Sequence, residues 1–118
     1  MMVVVQATNE FNEYSVFLRG MGVAMSIMDP EDKEFAIYVV GSKLGKLPDF
    51  AMEFCNLSEK GMKLRGKKIR MYRTTDLWVS EFLHLMDYFA FFSNAGQPLS
   101  TLAKKAKEKN IELGIFQY

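Results

Sequence analysis

Residues 2–6 constrain the fold of this chain more than any other segment, because they are short, β-branched and apolar. A strand with one face in water alternates between apolar and polar side chains, whereas a strand that is covered on both faces does not. These residues show no such alternation. We therefore predict an interior strand at the start of the chain, inside a sheet against which other elements pack.

The length and composition indicate one domain. The chain has 118 residues, of which 49% are hydrophobic, and it contains only three prolines and eight glycines. A chain of this size buries roughly two-thirds of its unfolded surface, which is enough for a core of its own. We predict a single globular domain over residues 1–118.

The only cysteine, Cys55, cannot form a disulfide within the chain, and no Cys and His spacing is typical of a zinc site. This usage fits a reducing compartment. The first residues lack the basic and apolar regions of a signal peptide, and no window reaches the roughly 18 apolar residues of a membrane span. We expect a soluble cytoplasmic protein with no membrane contact, no metal and no cofactor.

Turn chemistry predicts a hairpin in the first half of the chain. Residues 23–28 and 34–40 flank an Asp-Pro-Glu-Asp-Lys segment, in which proline fixes φ and the Asp29 side chain can bond the backbone ahead. The preceding residues 9–19 fit either a helix that ends before Gly20 or an alternating strand, and we favour the helix.

The second half contains three predicted helices and two predicted strands. Pro48 suits the first turn of an amphipathic helix that ends at Gly61, and residues 67–73 alternate as a strand does. Residues 77–92 are apolar at the spacing of a helix, which Thr74, Thr75 or Asp76 caps. A helix over residues 98–109 and a strand over 111–116 follow.

This order of elements predicts an α+β fold, in which a mixed sheet of about five strands has helices packed against it. The alternative is a three-layer α/β fold.

Charge is divided unevenly along the chain. Residues 1–59 hold four Lys or Arg against nine carboxylates, a balance of −5, while residues 60–118 hold eleven against five, a balance of +6. Residues 60–73 alone carry seven positive charges and no carboxylate. The candidate contacts to a polyanion or a partner are Lys63, Arg65, Lys67, Lys68, Arg70, Tyr72 and Arg73.

Such a segment can neutralise phosphates, and Tyr72 can stack on a base. The simpler interpretation is a solvated helix end, turn and strand face, whose cations neighbour the acidic hairpin or complement a helix C-terminus.

The loop between the second strand and the next helix is a candidate anion-binding loop, with Gly41, Ser42, Lys43, Gly45 and Lys46 as its candidate residues. It is not a P-loop, because three residues rather than four separate the two glycines and Leu47 replaces the hydroxyl residue. An ordinary turn is the simpler interpretation.

Asp76, Ser80, His84 and Asp87 share one stripe of the predicted apolar helix, where Ser-His-Asp chemistry would need an oxyanion hole that no motif provides. We therefore expect a non-enzymatic regulatory or adaptor protein that binds another protein. The alternative is a nucleic-acid or polyanion binder that uses residues 60–73. A small enzyme near His84 or Gly41 is a third hypothesis, and homo-oligomerisation stays open.

Overall fold

The structure is a computed structural model that describes residues 1–41 and 45–118. The strands are β1 (Met2–Ala7), β2 (Glu34–Val40), β3 (Lys68–Thr74), β4 (Tyr88–Ser93) and β5 (Glu112–Gln117). The helices are α1 (Tyr14–Ser26), α2 (Leu47–Leu64), α3 (Asp76–Glu81) and α4 (Thr101–Glu108), and a short 3₁₀ turn covers Leu83–Leu85.

The five strands form one sheet in the order β3-β2-β1-β4-β5, and all four pairs are parallel. The predicted sheet of about five strands with helices packed against it is confirmed. Because all four pairs are parallel, each strand begins at the same end of the sheet, and a helix lies in every connection. The result is the three-layer α/β form of the prediction rather than a mixed sheet.

Two apolar layers enclose the sheet. On one face α1 and α2 contribute Phe17, Met21 and Phe54, and on the other α3 and α4 contribute Val79 and Leu102. β1 lies in the middle, with Val3 and Val5 toward one layer and Val4 toward the other, and all three are fully buried. The predicted interior strand is therefore confirmed.

The predicted hairpin over residues 23–40 is wrong, because the first of its two segments belongs to α1. The turn chemistry itself is present, since the Glu31 N–H donates to Asp29 Oδ1 at 2.8 Å, but the turn joins a helix to β2. Phe17, Met21 and Ala24 are buried at helical spacing across Gly20, so burial continues the helix through a residue that commonly ends one. The helix that we favoured for residues 9–19 is present, but it covers Tyr14–Ser26 and does not end before Gly20.

The single helix predicted over residues 77–92 is also wrong. The chain forms α3, the 3₁₀ turn and then β4, all six residues of which are buried. A wholly apolar run satisfies the helical period as well as the period of a strand covered on both faces. The predicted cap is confirmed at Thr75, whose Oγ1 accepts the Trp78 N–H at 3.2 Å.

The end of α2 corrects a further prediction. Gly61 lies inside the helix, which continues to Leu64 and ends where Gly66 adopts a φ of 71°. The Gly66 N–H donates to the Lys63 carbonyl and the Lys67 N–H to the Met62 carbonyl, as in a glycine-ended helix. β3, α4 and β5 match their predictions within a few residues, and Pro48 lies in the first turn of α2.

Cys55 lies on the inner side of α2 and is 8% exposed. Burial, with the carboxylate of Glu59 as a second cause, raises the pKa of its thiol to about 11. We expect a thiol reagent at neutral pH to label folded Cys55 at least about 100-fold more slowly than the urea-unfolded chain, because the thiolate is the reactive form. Equal rates would contradict the burial of this thiol.

The same shift has a consequence for stability. The unfolded thiol ionises near its ordinary pKa of 9.0, while the folded thiol keeps its proton to about pH 11. Its contribution to stability is therefore complete below pH 9 and is lost as the pH rises through that window.

Candidate functional site

The predicted basic segment falls mostly on β3, which lies at the edge of the sheet and, among the described strands, pairs with β2 alone. Lys68, Arg70 and Tyr72 lie beside Glu34, Ala36 and Tyr38 of β2 and point to the face that carries α3 and α4. The alternating residues Ile69 and Met71 pack under α2 in the opposite layer. Three of the candidates on β3 therefore lie on one face of this edge, and Arg73, which pairs with Val39, lies on the other.

The backbone of β3 has an open side. The Lys68 N–H donates to the Lys33 carbonyl at 2.9 Å, so the even-numbered residues of this strand turn their N–H and C=O groups toward β2. Because these groups alternate in direction along a strand, those of Ile69, Met71 and Arg73 turn toward the open edge. This edge can accept a further strand.

A groove of about 410 Å³ runs along the first half of this edge. Its floor contains Ile69, which is 9% exposed, and its rim contains cations from both α2 and β3. The lining residues are Glu59, Lys63, Gly66, Lys67, Lys68, Ile69 and Arg70. The structure therefore brings together four of the basic candidates, Lys63, Lys67, Lys68 and Arg70. Arg65 lies at the end of α2, and Arg73 lies further along β3.

Lys67 differs from the other cations because it already has partners. Its Nζ donates to the carbonyl of Pro30 at 2.8 Å and to that of Asp32, which ties β3 to the acidic turn before β2. A contact between a basic side chain and the acidic segment before β2 is what the simpler interpretation of residues 60–73 predicts. Lys67 therefore supports the fold, and it is the least available of the candidates for a partner.

The other five cations among the candidates have no partner within the described residues. Within residues 1–41 and 45–118 the one ion pair joins the N-terminal amine of Met1 to Asp32 at 3.7 Å. In the same part of the chain Lys63, Arg65, Lys68, Arg70 and Arg73 form no side-chain hydrogen bond. Their charges face solvent.

Tyr72 lies at the end of an aromatic stack. Its ring centroid is 5.2 Å from that of Tyr38, which is in turn 5.2 Å from that of Trp78, and both pairs are nearly parallel. Burial raises the pKa of Tyr38, with smaller contributions from Tyr72 and Glu34. One face of the Tyr72 ring is therefore occupied within the protein, although 39% of the residue is exposed.

Sequence patterns did not indicate the crevices at the carboxyl ends of the strands. Ligands of open parallel sheets bind where the strand order reverses, which here is between β1 and β4. A crevice of about 390 Å³ lies there, and a second of about 380 Å³ extends toward β3 and contains Asp76. Both include Gln6 and Ala7. A polar residue near the end of a buried strand, as Gln6 is in β1, is the one sequence signal that could have pointed to this place.

The candidate anion loop lies beside these crevices. Gly41 lines the second crevice, and Gly45 and Lys46 line a cavity of about 10 Å³ next to it, while Ser42 and Lys43 lie outside the described residues. The Ser100 hydroxyl donates to Gln6 Oε1 at 2.6 Å, so two polar groups of the first crevice already bond each other. Among the described residues no charged side chain lines the first crevice and only Asp76 lines the second, so both are less charged than the β3 edge.

The polar stripe predicted on residues 76–87 is dispersed. Ser80 accepts a hydrogen bond from Lys105, and Asp87 Oδ2 accepts the Met2 N–H at 2.8 Å. His84 stands on the 3₁₀ turn, and Asp76 lies in the second crevice. Ser-His-Asp geometry is not formed by these residues.

The described residues also limit the kind of site that this chain can form. No cluster of three or more His, Cys, Asp or Glu side chains there could hold a metal ion, and no helix there is both long and apolar enough to cross a membrane. Comparison with known proteins gave no match to a protein-family model, to a curated protein or to a solved structure.

Proposed function

We propose that this chain is a non-enzymatic regulatory or adaptor protein that binds an acidic, extended segment of another protein along the β3 edge. The observation that supports this most is the combination of outward backbone groups at Ile69, Met71 and Arg73 with unpaired cations beside them. A peptide that adds to a sheet edge gains affinity from its main-chain hydrogen bonds and specificity from alternate side chains.

The positive charge of the β3 edge favours a negatively charged partner strand. Lysine and arginine on an edge strand discourage pairing with another copy of the same strand. The same cations attract a strand of opposite charge, since cross-strand pairs of opposite charge are favourable. Lys68 and Arg70 would face carboxylates on one side of such a strand, and a side chain on its other side would enter the groove against Ile69 and Lys63.

Nucleic acid is the alternative ligand for the same cations, and three features favour the acidic peptide over it. One face of Tyr72 is stacked on Tyr38, which limits its use for a base. Glu59 lines the groove and Glu34 lies beside Lys68, and a peptide can place uncharged side chains next to these carboxylates, whereas every nucleotide carries a phosphate that they would repel. The whole chain carries a formal charge of only +1, whereas nucleic-acid binders are typically far more basic.

Two labelled synthetic peptides test the proposal by fluorescence anisotropy. The first alternates Glu with Val, and the second has the same charge but carries proline at its central Val position, which removes a backbone donor and disfavours the strand. We expect the first to bind and the second to bind about tenfold more weakly.

Single-stranded DNA and RNA of matched charge serve as the comparison. Equal affinity for the two peptides would show attraction by charge alone and would contradict strand addition. Tighter binding of either nucleic acid than of the alternating peptide would favour the nucleic-acid alternative.

A further inference from the structure

The opposite edge of the sheet has a different chemistry. β5 has the sequence ELGIFQ, in which Glu112 is the only charge, and it contains none of the lysines or prolines that protect exposed edges. Ile115 is 50% exposed and lines a groove of about 440 Å³ with the apolar residues Leu99, Ile111 and Leu113, and Lys107 and Asn110 complete the lining. An unprotected apolar edge of this kind favours pairing with another strand.

The backbone of β5 also has an open side. The Tyr118 N–H donates to the Ser93 carbonyl at 3.3 Å, so the even-numbered residues at this end of the chain turn toward β4. The N–H and C=O groups of Leu113, Ile115 and Gln117 therefore turn toward the open edge. Both groups of each residue are oriented to bond a neighbouring strand.

We propose that β5 pairs in antiparallel orientation with β5 of a second copy of this chain, which gives a twofold dimer with a continuous sheet across the interface. Residues opposite each other in an antiparallel pair point to the same face. With Gly114 on the twofold axis, Leu113 lies opposite Ile115 of the partner subunit. Each of the two such pairs exchanges both backbone hydrogen bonds and covers the apolar groove beside it.

Charge complementarity identifies a second copy as the occupant. Glu112 lies beside Tyr88 in register and points to the face that carries α1. Arg19 of α1 donates to the Gln117 carbonyl at 3.4 Å, so it lies at the other end of β5 on that same face. The proposed register places Glu112 opposite Phe116 of the partner subunit and therefore next to the partner's Arg19. The twofold axis repeats this contact, as an isologous interface requires.

Sedimentation velocity over a range of protein concentrations tests the proposal, which is independent of the function proposed for the β3 edge. We expect a dimer for the unaltered chain and a dimer at least about tenfold weaker for Ile115→Lys. Leu57→Lys is the matched control, because Leu57 is an exposed apolar residue on α2. Circular dichroism establishes that each variant is folded.

A charge exchange tests the register. Glu112→Arg and Arg19→Glu are each expected to weaken the dimer, and the double variant is expected to restore it, because both residues are exposed and the exchange recreates the contact. A chain that stays monomeric at every concentration would overturn the proposal. So would a dimer unaffected by Ile115→Lys, a double variant without restoration, or open-ended assemblies in place of a dimer.

Discussion

Replacing Gly20 by alanine is expected to lower the free energy of unfolding by about 1 kcal/mol, whereas replacing Gly22 by alanine is expected to raise it by about 0.5 to 1 kcal/mol. Both glycines lie in α1, two residues apart, and both substitutions bring the same gain in helix propensity. The expected difference in sign therefore comes from packing alone.

The two positions differ greatly in the space that is available for a Cβ atom. A Cβ atom at Gly20 would stand 2.7 Å from Phe92 Cζ and 2.9 Å from Phe92 Cε1, whereas a Cβ atom at Gly22 would meet nothing within 4 Å. Phe92 is fully buried and packs against Phe11 with ring centroids 4.9 Å apart, so it has little room to withdraw. Adding a methyl group to such a core typically costs about 1 to 3 kcal/mol, which exceeds the gain in propensity.

Urea unfolding of the two variants measures the difference. The midpoint is expected to fall for Gly20→Ala and to rise for Gly22→Ala, with the slope unchanged if only stability is altered. Two variants that move in the same direction would contradict the close approach of α1 to β4 at Gly20.

The double variant Lys68→Glu with Arg70→Glu is expected to bind the alternating acidic peptide about 100-fold more weakly than the unaltered chain. An exposed ion pair contributes up to about 1 kcal/mol, and reversing a charge replaces an attraction by a repulsion of similar size. Two reversals therefore change the binding free energy by about 2 to 3 kcal/mol. Both residues are exposed and without partners among the described residues, so we expect the variant to fold.

Lys104→Glu with Lys109→Glu is the matched control, because it changes the net charge equally on α4 and at the residue that follows it, away from the β3 edge. An equal loss of affinity in both double variants would show that peptide binding depends on net charge and not on position. Affinity measured at several salt concentrations separates screening from loss of contact.

Local patterns predicted those elements whose period is unambiguous. Residues 67–73 alternate, and β3 lies there because Ile69 is buried while Lys68 and Arg70 are exposed. Residues 88–92 satisfied a helical period only because every residue is apolar, and their burial between two layers is a property of the whole sheet. The Asp-Pro turn was recognised correctly, yet a turn alone does not specify whether a helix or a strand precedes it.

The sequence predicted which residues could form the candidate site but not how they are arranged in the fold. The sequence identified the seven candidate residues of the basic segment, but it could not show that Lys67 is held by the carbonyls of Pro30 and Asp32 while Lys63 from α2 joins Lys68 and Arg70 at one groove. That β3 and β5 are edges follows from the strand order, which arises from long-range pairing. No local pattern in β5 distinguishes an edge strand from a central one.

Amide exchange measured by NMR on the ¹⁵N-labelled chain, with and without the alternating acidic peptide, tests the β3 edge most directly. Strand addition requires slower exchange at Ile69, Met71 and Arg73, whose N–H groups turn outward, and little change at Lys68, Arg70 and Tyr72, whose N–H groups turn toward β2. Unchanged exchange at the three outward amides at a saturating concentration of peptide would contradict the proposed binding along this edge.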